Sequence, residues 1–328
     1  MNRRSLLATL SASVAVPGLL AAPSAFAQEE YPKQLVRWVV PYPAGGGTDN
    51  LARAIAENMR VGLGQQLIID NRPGASTNIG AELVARSKPD GYTIMSADNA
   101  VLAFNEHLFK QLRYSPEKDF SYIGAIGKFP LALVVTPDFP AKTFAEFMAY
   151  VKANLGKVSY ASAGNGSPHH LAMELFKNRT GLQLTHIPYK GAAPAMQDLM
   201  GGQVPVMFLD LASGLPIVQT GKVRALAIAS PARSKVLPSL PTLNEMGVRD
   251  AEVFAFQGML GPAGMPEPVV ARLNSELRKS MADQNVLKKF TDFGFEPLLL
   301  SPEEFKKLAR SESQRWGKVI RENAIALD

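Results

Sequence analysis

Two short stretches carry residue types that could hold a ligand. Gly45, Gly46 and Gly47 run into Thr48 and Asp49, while Gly164, Asn165 and Gly166 run into Ser167, Pro168, His169 and His170. Both set glycines before residues that begin helices. The first turn of a helix leaves backbone N–H groups unpartnered and carries partial positive charge. Glycines let a ligand's oxygens approach that backbone closely. The chemistry implied is an anion seat, and a small carboxylate suits it better than a nucleotide. No Gly-Lys-Ser/Thr follows the first run, and GGGTD lacks the G-x-G-x-x-G spacing of a dinucleotide site. Taken alone, the loop also reads as a strand–helix turn with no ligand.

Catalytic groups are sparse. Of four histidines, His169 and His170 are adjacent and point differently from a helix, and His107 and His186 lie far off in sequence. With no H-E-x-x-H and no cysteine, neither a metal site nor a cofactor is expected. His169 and His170 read first as packing or hydrogen-bonding residues at a helix start, with ligand contact as the alternative. Gly164-Asn165-Gly166-Ser167-Pro168 has the wrong order for a G-x-S-x-G nucleophile elbow. Glu303 and Glu304 fall on a solvated helix face. Asp49 reads as a helix cap. Asp210, at a strand end, could meet a ligand's amino group, order a water, or cap the next turn.

The elements that position these residues alternate. An apolar strand over residues 36–40 stops at Pro41 and Pro43. Leu51, Ala52, Ile55, Ala56 and Met59 then mark one helix face, with Thr48 or Asp49 as its N-cap. A strand at 66–70, a turn-rich loop at 71–78, a helix at 79–86 capped by Thr77 or Asn78, and a strand at 92–96 complete a βαβαβ opening. That pattern predicts a mostly parallel sheet covered by helices, with ligands outside the strands' carboxyl ends. Residues 99–120 read as irregular, and 120–128 as a strand leaving a first domain. A second series starts at 131–136 and continues through a strand at 158–162 and a helix at 169–179, where Ser167 suits the N-cap and Pro168 the first turn. Strands at 185–189, 204–209 and 223–229 follow. Residues 253–257 cross back, and the remainder is helical apart from a strand at 294–300. Two αβ units joined by two crossings would set their loops across a cleft.

Residues 1–27 read as an export signal: Arg3 and Arg4, an apolar stretch from Leu6 to Leu20, and Ala25-Phe26-Ala27 for cleavage. The arginine pair fits a twin-arginine signal as well as an ordinary secretory one. The stretch is too short and too broken by Pro17 and Gly18 to span a membrane. The roughly 300 residues left suggest two domains, and 46% hydrophobic content supports two cores without cysteine. Net charge is +6 for the whole chain, and losing Arg3 and Arg4 lowers it by two. The basic residues are scattered, which argues against a nucleic-acid partner.

Five ordered motifs carry a resemblance: PYPAGGGTDNLAR at 41–53, NRPGASTNIGAELVA at 71–85, YASAGNGSPHHLAMELF at 160–176, IPYKGAAPAMQDLMGGQV at 187–204 and GKVRALAIAS at 221–230. The chain resembles the Bug family, extracytoplasmic receptors of tripartite tricarboxylate transporters, over nearly its whole mature length. The resemblance implies an α/β, type II periplasmic-binding-protein fold of two lobes, 28–127 with 252–328 and 128–251, each a mostly parallel sheet flanked by helices. It implies a monomer in the periplasm that captures a small carboxylated solute and delivers it to membrane transporter subunits. Family ligands include di-, tri- and aromatic carboxylates, amino acids and nicotinamide-like compounds. The implied contacts, some through water, are Ala44, Gly45, Gly46 and Thr48, then Ser76, Thr77 and Asn78, then Ser162, Ala163, Gly164, Asn165 and Ser167. Tyr42, His169 and Asp210 complete the candidate set. Two departures stand out. Ser76 and Thr77 replace the glycines of NRPGAGGN, and Leu209 displaces the acid of the family's MFD to Asp210.

Two other classes compete. A sensor would present the same closed form to a signalling partner. An exported hydrolase would need a nucleophile such as Ser167 and a triad that the sequence lacks.

Overall fold

The computed structural model describes residues 31–292, 294–322 and 324–327. The signal segment therefore lies outside the described residues. Residues 31–328 form one compact unit.

The first series runs β1 (Val36–Val40), α1 (Gly47–Leu63), β2 (Leu67–Asn71), α2 (Asn78–Ala85) and β3 (Thr93–Asp98). Strand β1 is paired in parallel with both β2 and β3. Its side chains alternate between two cores. Val36, Trp38 and Val40 join Leu51, Ile55 and Met59 of α1, while Val39 joins Ala81 and Val84 of α2 on the other face. Burial on both faces explains the unbroken apolar run, as in parallel sheets covered by helices.

A π-helical turn, Ala100–Phe104, leads into α3, Asn105–Leu108, where the sequence reads as irregular. Five successive buried residues in the turn, Phe104 among them, give no single-face period, and their order comes from tertiary packing such as Phe104 against Trp316. Strand β4 then runs unbroken for 16 residues, Phe120–Val135, where two separate strands are expected. Pro130 does not interrupt it. Residues 120–130 pair antiparallel with β9 (Phe254–Pro262), and 131–135 pair with β7 (Val206–Asp210) and β8 (Arg224–Ile228). One strand thus serves two sheets.

The second sheet holds β5 (Ser159–Ser162) in parallel with β6 (Thr185–Pro188) and with β7. Around it lie α4 (Phe144–Ala153), α5 (Pro168–Thr180), α6 (Ala192–Met200) and α7 (Leu211–Gln219). The chain returns through β9, which lies between β3 and β4. Helices α8 (Glu267–Ala282), α9 (Gln284–Asp292) and α10 (Pro302–Glu322) close the fold. Of the strand expected at 294–300, only β10, Glu296–Pro297, pairs, against β4.

Candidate functional site

The parallel strands β1, β2, β5 and β6 all end toward one cleft. Its open part, about 510 Å³, is lined by residues 41–43, 73–77, 163–165 and 188–191, with Ala100 and Ser167. Beside it a small chamber, about 30 Å³, is lined by Gly46, Gly47 and Thr48 of the first glycine loop, Pro168 and His169 of the second, and Ala192. Tyr42, Pro43 and Ala163 border both spaces.

Each half of the site is a strand end followed by a helix start. In the first, Gly46 and neither Thr48 nor Asp49 is the N-cap of α1, and no side chain caps it. The reason is local: the Asp49 carboxylate accepts from the Gly45 N–H at 3.0 Å, from Arg53 at 2.9 Å and from Asn71 at 2.9 Å. Burial pushes that carboxyl up, but the Arg53, Gly45 and Asn71 hydrogen bonds outweigh it and hold it below the usual range. The Thr48 hydroxyl accepts from the side-chain amide of Gln257, a fully buried residue of β9. Thr48 therefore ties the loop to the sheet behind it.

In the second half, Ser167 is the N-cap of α5, accepting from the His170 N–H, and Pro168 opens the helix. The Ser167 hydroxyl donates to the Gly164 carbonyl at 2.7 Å. Among the described residues no histidine ring nitrogen hydrogen-bonds to that hydroxyl.

A third transition of the same kind joins a strand and a helix that the sequence shows, through a loop it does not single out. Tyr189, Lys190 and Gly191 follow β6 and precede α6, with Gly191 as N-cap at φ +120°. Gly191 is required there: a Cβ would meet Pro43 at 2.9 Å. The strand–glycine–helix order was the available signal, inside a motif already recognised. Loop 75–77 supplies a fourth helix start. Ala75, Ser76 and Thr77 all have positive φ, and Thr77 occupies the N-cap of α2 without a side-chain capping bond. Such backbone is costly for residues with a Cβ. Buried Asn105 holds it, its amide donating to the Ser76 carbonyl and the Asn78 side chain, both at 2.7 Å.

Two buried acids face the chamber. Asp98 accepts from the Tyr42 hydroxyl at 2.7 Å and the Ala100 N–H at 3.0 Å. Burial still raises its carboxyl, against those bonds, and burial and then Asp98 push the Tyr42 hydroxyl well up. Asp210 caps α7, accepting from the Ser213 N–H at 2.8 Å, and lies 2.9 Å from His169 Nε2. Burial pushes Asp210 up, but His169 and Ser213 hold it low. Of the three roles open to Asp210, the structure shows the cap. The side chain of His169 is buried, and its Nδ1 has no protein partner.

The candidate residues thus divide. Tyr42, Ser76, Thr77, Ala163, Gly164, Asn165 and Ser167 line the open cleft. Gly46, Thr48, His169 and Asp210 line the chamber. Ala44, Gly45, Asn78 and Ser162 line neither. Asn78 and Ser162 act from behind, on Asn105 and His186. His186, remote in sequence, stacks on His170 at 4.2 Å. Among the described residues no cluster of acids and histidines suits a metal ion, and no helix is long and apolar enough to cross a membrane.

Strands of two sheets ending at a shared cleft, with helix N-termini around it, define a solute-binding protein of the periplasmic type. The profile described as "Tripartite tricarboxylate transporter family receptor" matches residues 51–325, and the chain belongs to that family, which includes the Bug proteins. BugT of Bordetella pertussis is 34% identical over 328 residues, covering all of both chains. The solved periplasmic binding protein BugD is 36% identical, with a TM-score of 0.87, over 90% of this chain and 100% of its own. An R. palustris protein solved with adipate is 34% identical (TM-score 0.88, 90% and 100% covered). MatC of Rhodopseudomonas palustris, solved with malate, is 33% identical (TM-score 0.84, 88% and 100% covered).

Proposed function

We propose that this chain is a receptor for a small dicarboxylate, held between two lobes and passed to a tripartite tricarboxylate transporter in the membrane. The observation that carries the reading is the convergence of helix starts. The N-termini of α1, α5 and α6 all border one chamber, and each contributes roughly half a positive charge. One carboxylate sits at these backbone amides and at Thr77 and Ser167. The acids nearby are already matched, Asp210 by His169 and Ser213, Asp98 by Tyr42 and Ala100. The walls of the open cleft are more apolar than polar, with four prolines, Pro41, Pro43, Pro73 and Pro188. They suit a short hydrocarbon body. Among the described residues Lys190 is the one formally charged residue lining that cleft, and it receives the second carboxylate at the mouth. The adipate and malate complexes of relatives support this class.

The lobes are 28–127 with 252–328, and 128–251. They close by bending where β4 passes from one sheet to the other. The protein works in the periplasm after export through residues 1–27, by the Sec or the Tat route.

A thermal-shift screen of the mature protein tests the reading. A ligand that binds only the folded state at 100 times its Kd stabilises by about 2.7 kcal/mol. Adipate or another dicarboxylate should raise the melting temperature, and Lys190→Ala should reduce the gain while leaving monocarboxylates unaffected. Stabilisation by amino acids or nicotinamide alone would overturn the dicarboxylate assignment.

A further inference from the structure

Beneath the second glycine loop lies a cluster to which the binding scheme above gives no role. The His186 ring stacks on Tyr160 at 4.8 Å and 15°, and on His170 at 4.2 Å and 12°. These rings come from β6, β5 and α5. Both histidines bond to the loop. His170 Nδ1 accepts the Gly166 N–H at 3.2 Å, and His186 Nε2 lies 2.7 Å from the Ser162 hydroxyl. That hydroxyl accepts the Gly164 N–H and faces the Gly164 carbonyl, each at 3.1 Å. Loop 162–167 is therefore fastened from below at both ends.

We propose that His170 and His186 are positioning residues of the anion seat: as a neutral pair they hold loop 162–167 in its ligand-ready shape through their bonds to Gly166 and Ser162. The geometry fixes the tautomer of His170. A nitrogen that accepts the Gly166 N–H carries no proton, so the proton sits on Nε2, which faces Glu174 Oε1 at 4.0 Å. Glu174 in turn accepts from Tyr160 at 2.6 Å and from Lys177 at 2.8 Å. The loop needs this outside support. Gly164 and Gly166 have φ of +129° and +71°, backbone with little preference of its own. A loop held in one shape binds more tightly, because less freedom is lost on binding.

The inference rests on the receptor reading for its affinity arm, and amide exchange in the unliganded protein tests it separately. Four variants divide the two interactions. His170→Leu removes the acceptor, and His170→Asn returns an oxygen near the Nδ1 position. His186→Phe keeps the stack and loses the bond to Ser162, and His186→Gln does the reverse. The expected result is at least a tenfold rise in Gly164 and Gly166 exchange in His170→Leu and His186→Phe, with about a tenfold rise in the Kd for adipate. That change matches about 1.4 kcal/mol. His170→Asn and His186→Gln should recover most of both. Unchanged loop exchange in the Leu and Phe variants, with melting temperatures near wild type, overturns the proposal. So does equal loosening in all four, which would make the rings mere packing. Should the wild type bind neither adipate nor malate, the dicarboxylate reading fails, and the exchange pattern still decides the role of the histidines.

Discussion

The two glycine loops look alike in sequence and are held in opposite ways. The first is fixed by charge from its own side. Asp49 reaches back to the Gly45 N–H and is tied to Arg53 and Asn71. The second is fixed by neutral groups, a serine cap and two stacked rings. Their glycines differ as well. Gly46, the N-cap of the first helix, has an ordinary extended backbone at φ −83°, whereas Gly164 and Gly166 have positive φ. Gly46 keeps space open, whereas Gly164 and Gly166, like Gly45 at φ +85°, permit a backbone shape. One strand–glycine–helix motif is therefore held by two different supports.

The sharpest test of that contrast is a pair of valines. A Cβ at Gly46 would meet nothing closer than 3.9 Å, yet the residue borders the chamber. Gly46→Val should lower carboxylate affinity by on the order of 100-fold, about 2.7 kcal/mol, with little change in melting temperature. Gly166→Val should lower the melting temperature first and affinity with it, since its Cβ would lie 3.0 Å from Leu108 and 3.1 Å from Leu327 at a φ that disfavours side chains. Calorimetric titration and thermal melts on both variants measure the two effects. Equal losses of affinity and stability in each would erase the distinction. A comparable loss of stability is expected at Asp210→Ala, which uncaps α7 and leaves His169 Nε2 unpartnered. Losing a helix cap costs about 1 kcal/mol, and leaving a buried donor unsatisfied adds about 1–3 kcal/mol, to be read by denaturant unfolding.

Acid should separate the supports next. Burial lowers His170 to about 4, and burial and then His170 lower His186 to about 3, against an ordinary value of 6.5. Glu174 opposes the shift at His170, and Lys177 adds to it at both rings. A histidine lowered in the folded state contributes its full share above pH 6.5. That share is lost as pH falls toward 4 and then 3, because the unfolded chain takes up protons first. Asp49 is held below its usual value, so the first loop should keep its bonds until the pH is below the ordinary carboxylate range. Amide exchange followed from pH 7 to 4 should show the second loop loosening while the first stays protected. Simultaneous loosening would mean that both respond to global unfolding.

Much of this was legible in the sequence, because it rests on short-range signals. The run at Val36–Val40 and the pair Ser167-Pro168 needed no long-range information, and each falls where the structure has it. The Asp210 cap was among three roles that the sequence left open. What escaped depended on partners distant in the chain. Thr48 looks like a cap until Gln257, 209 residues away, takes its hydroxyl. His186 looks isolated until β5 and β6 pair and bring it onto His170. The positive φ values at Ala75, Ser76 and Thr77 are invisible in residue types that avoid them, and the chain maintains them through Asn105. Lys190 carries no local signal of its own: a lysine after a strand is ordinary surface until β5 and β6 pair and set it at the cleft.

The smallest effect is expected at Ser167→Ala, and it weighs the cap against the seat. The hydroxyl donates to the Gly164 carbonyl at 2.7 Å and accepts from the His170 N–H at 3.4 Å, a long bond. Losing an N-cap serine typically costs about 1 kcal/mol, which for a chain of this size shifts the melting temperature by only about 2 °C. Pro168 still opens the helix, and His170 still accepts the Gly166 N–H. The loop should therefore keep its shape. Any affinity lost beyond about fivefold, roughly 1 kcal/mol, then belongs to a hydroxyl that touches the ligand. The first loop has no counterpart, because no side chain caps α1. An alanine at Ser167 that changed stability and left affinity untouched would place the second seat wholly on backbone amides, as in the first, and the two loops would differ only in what lies behind them.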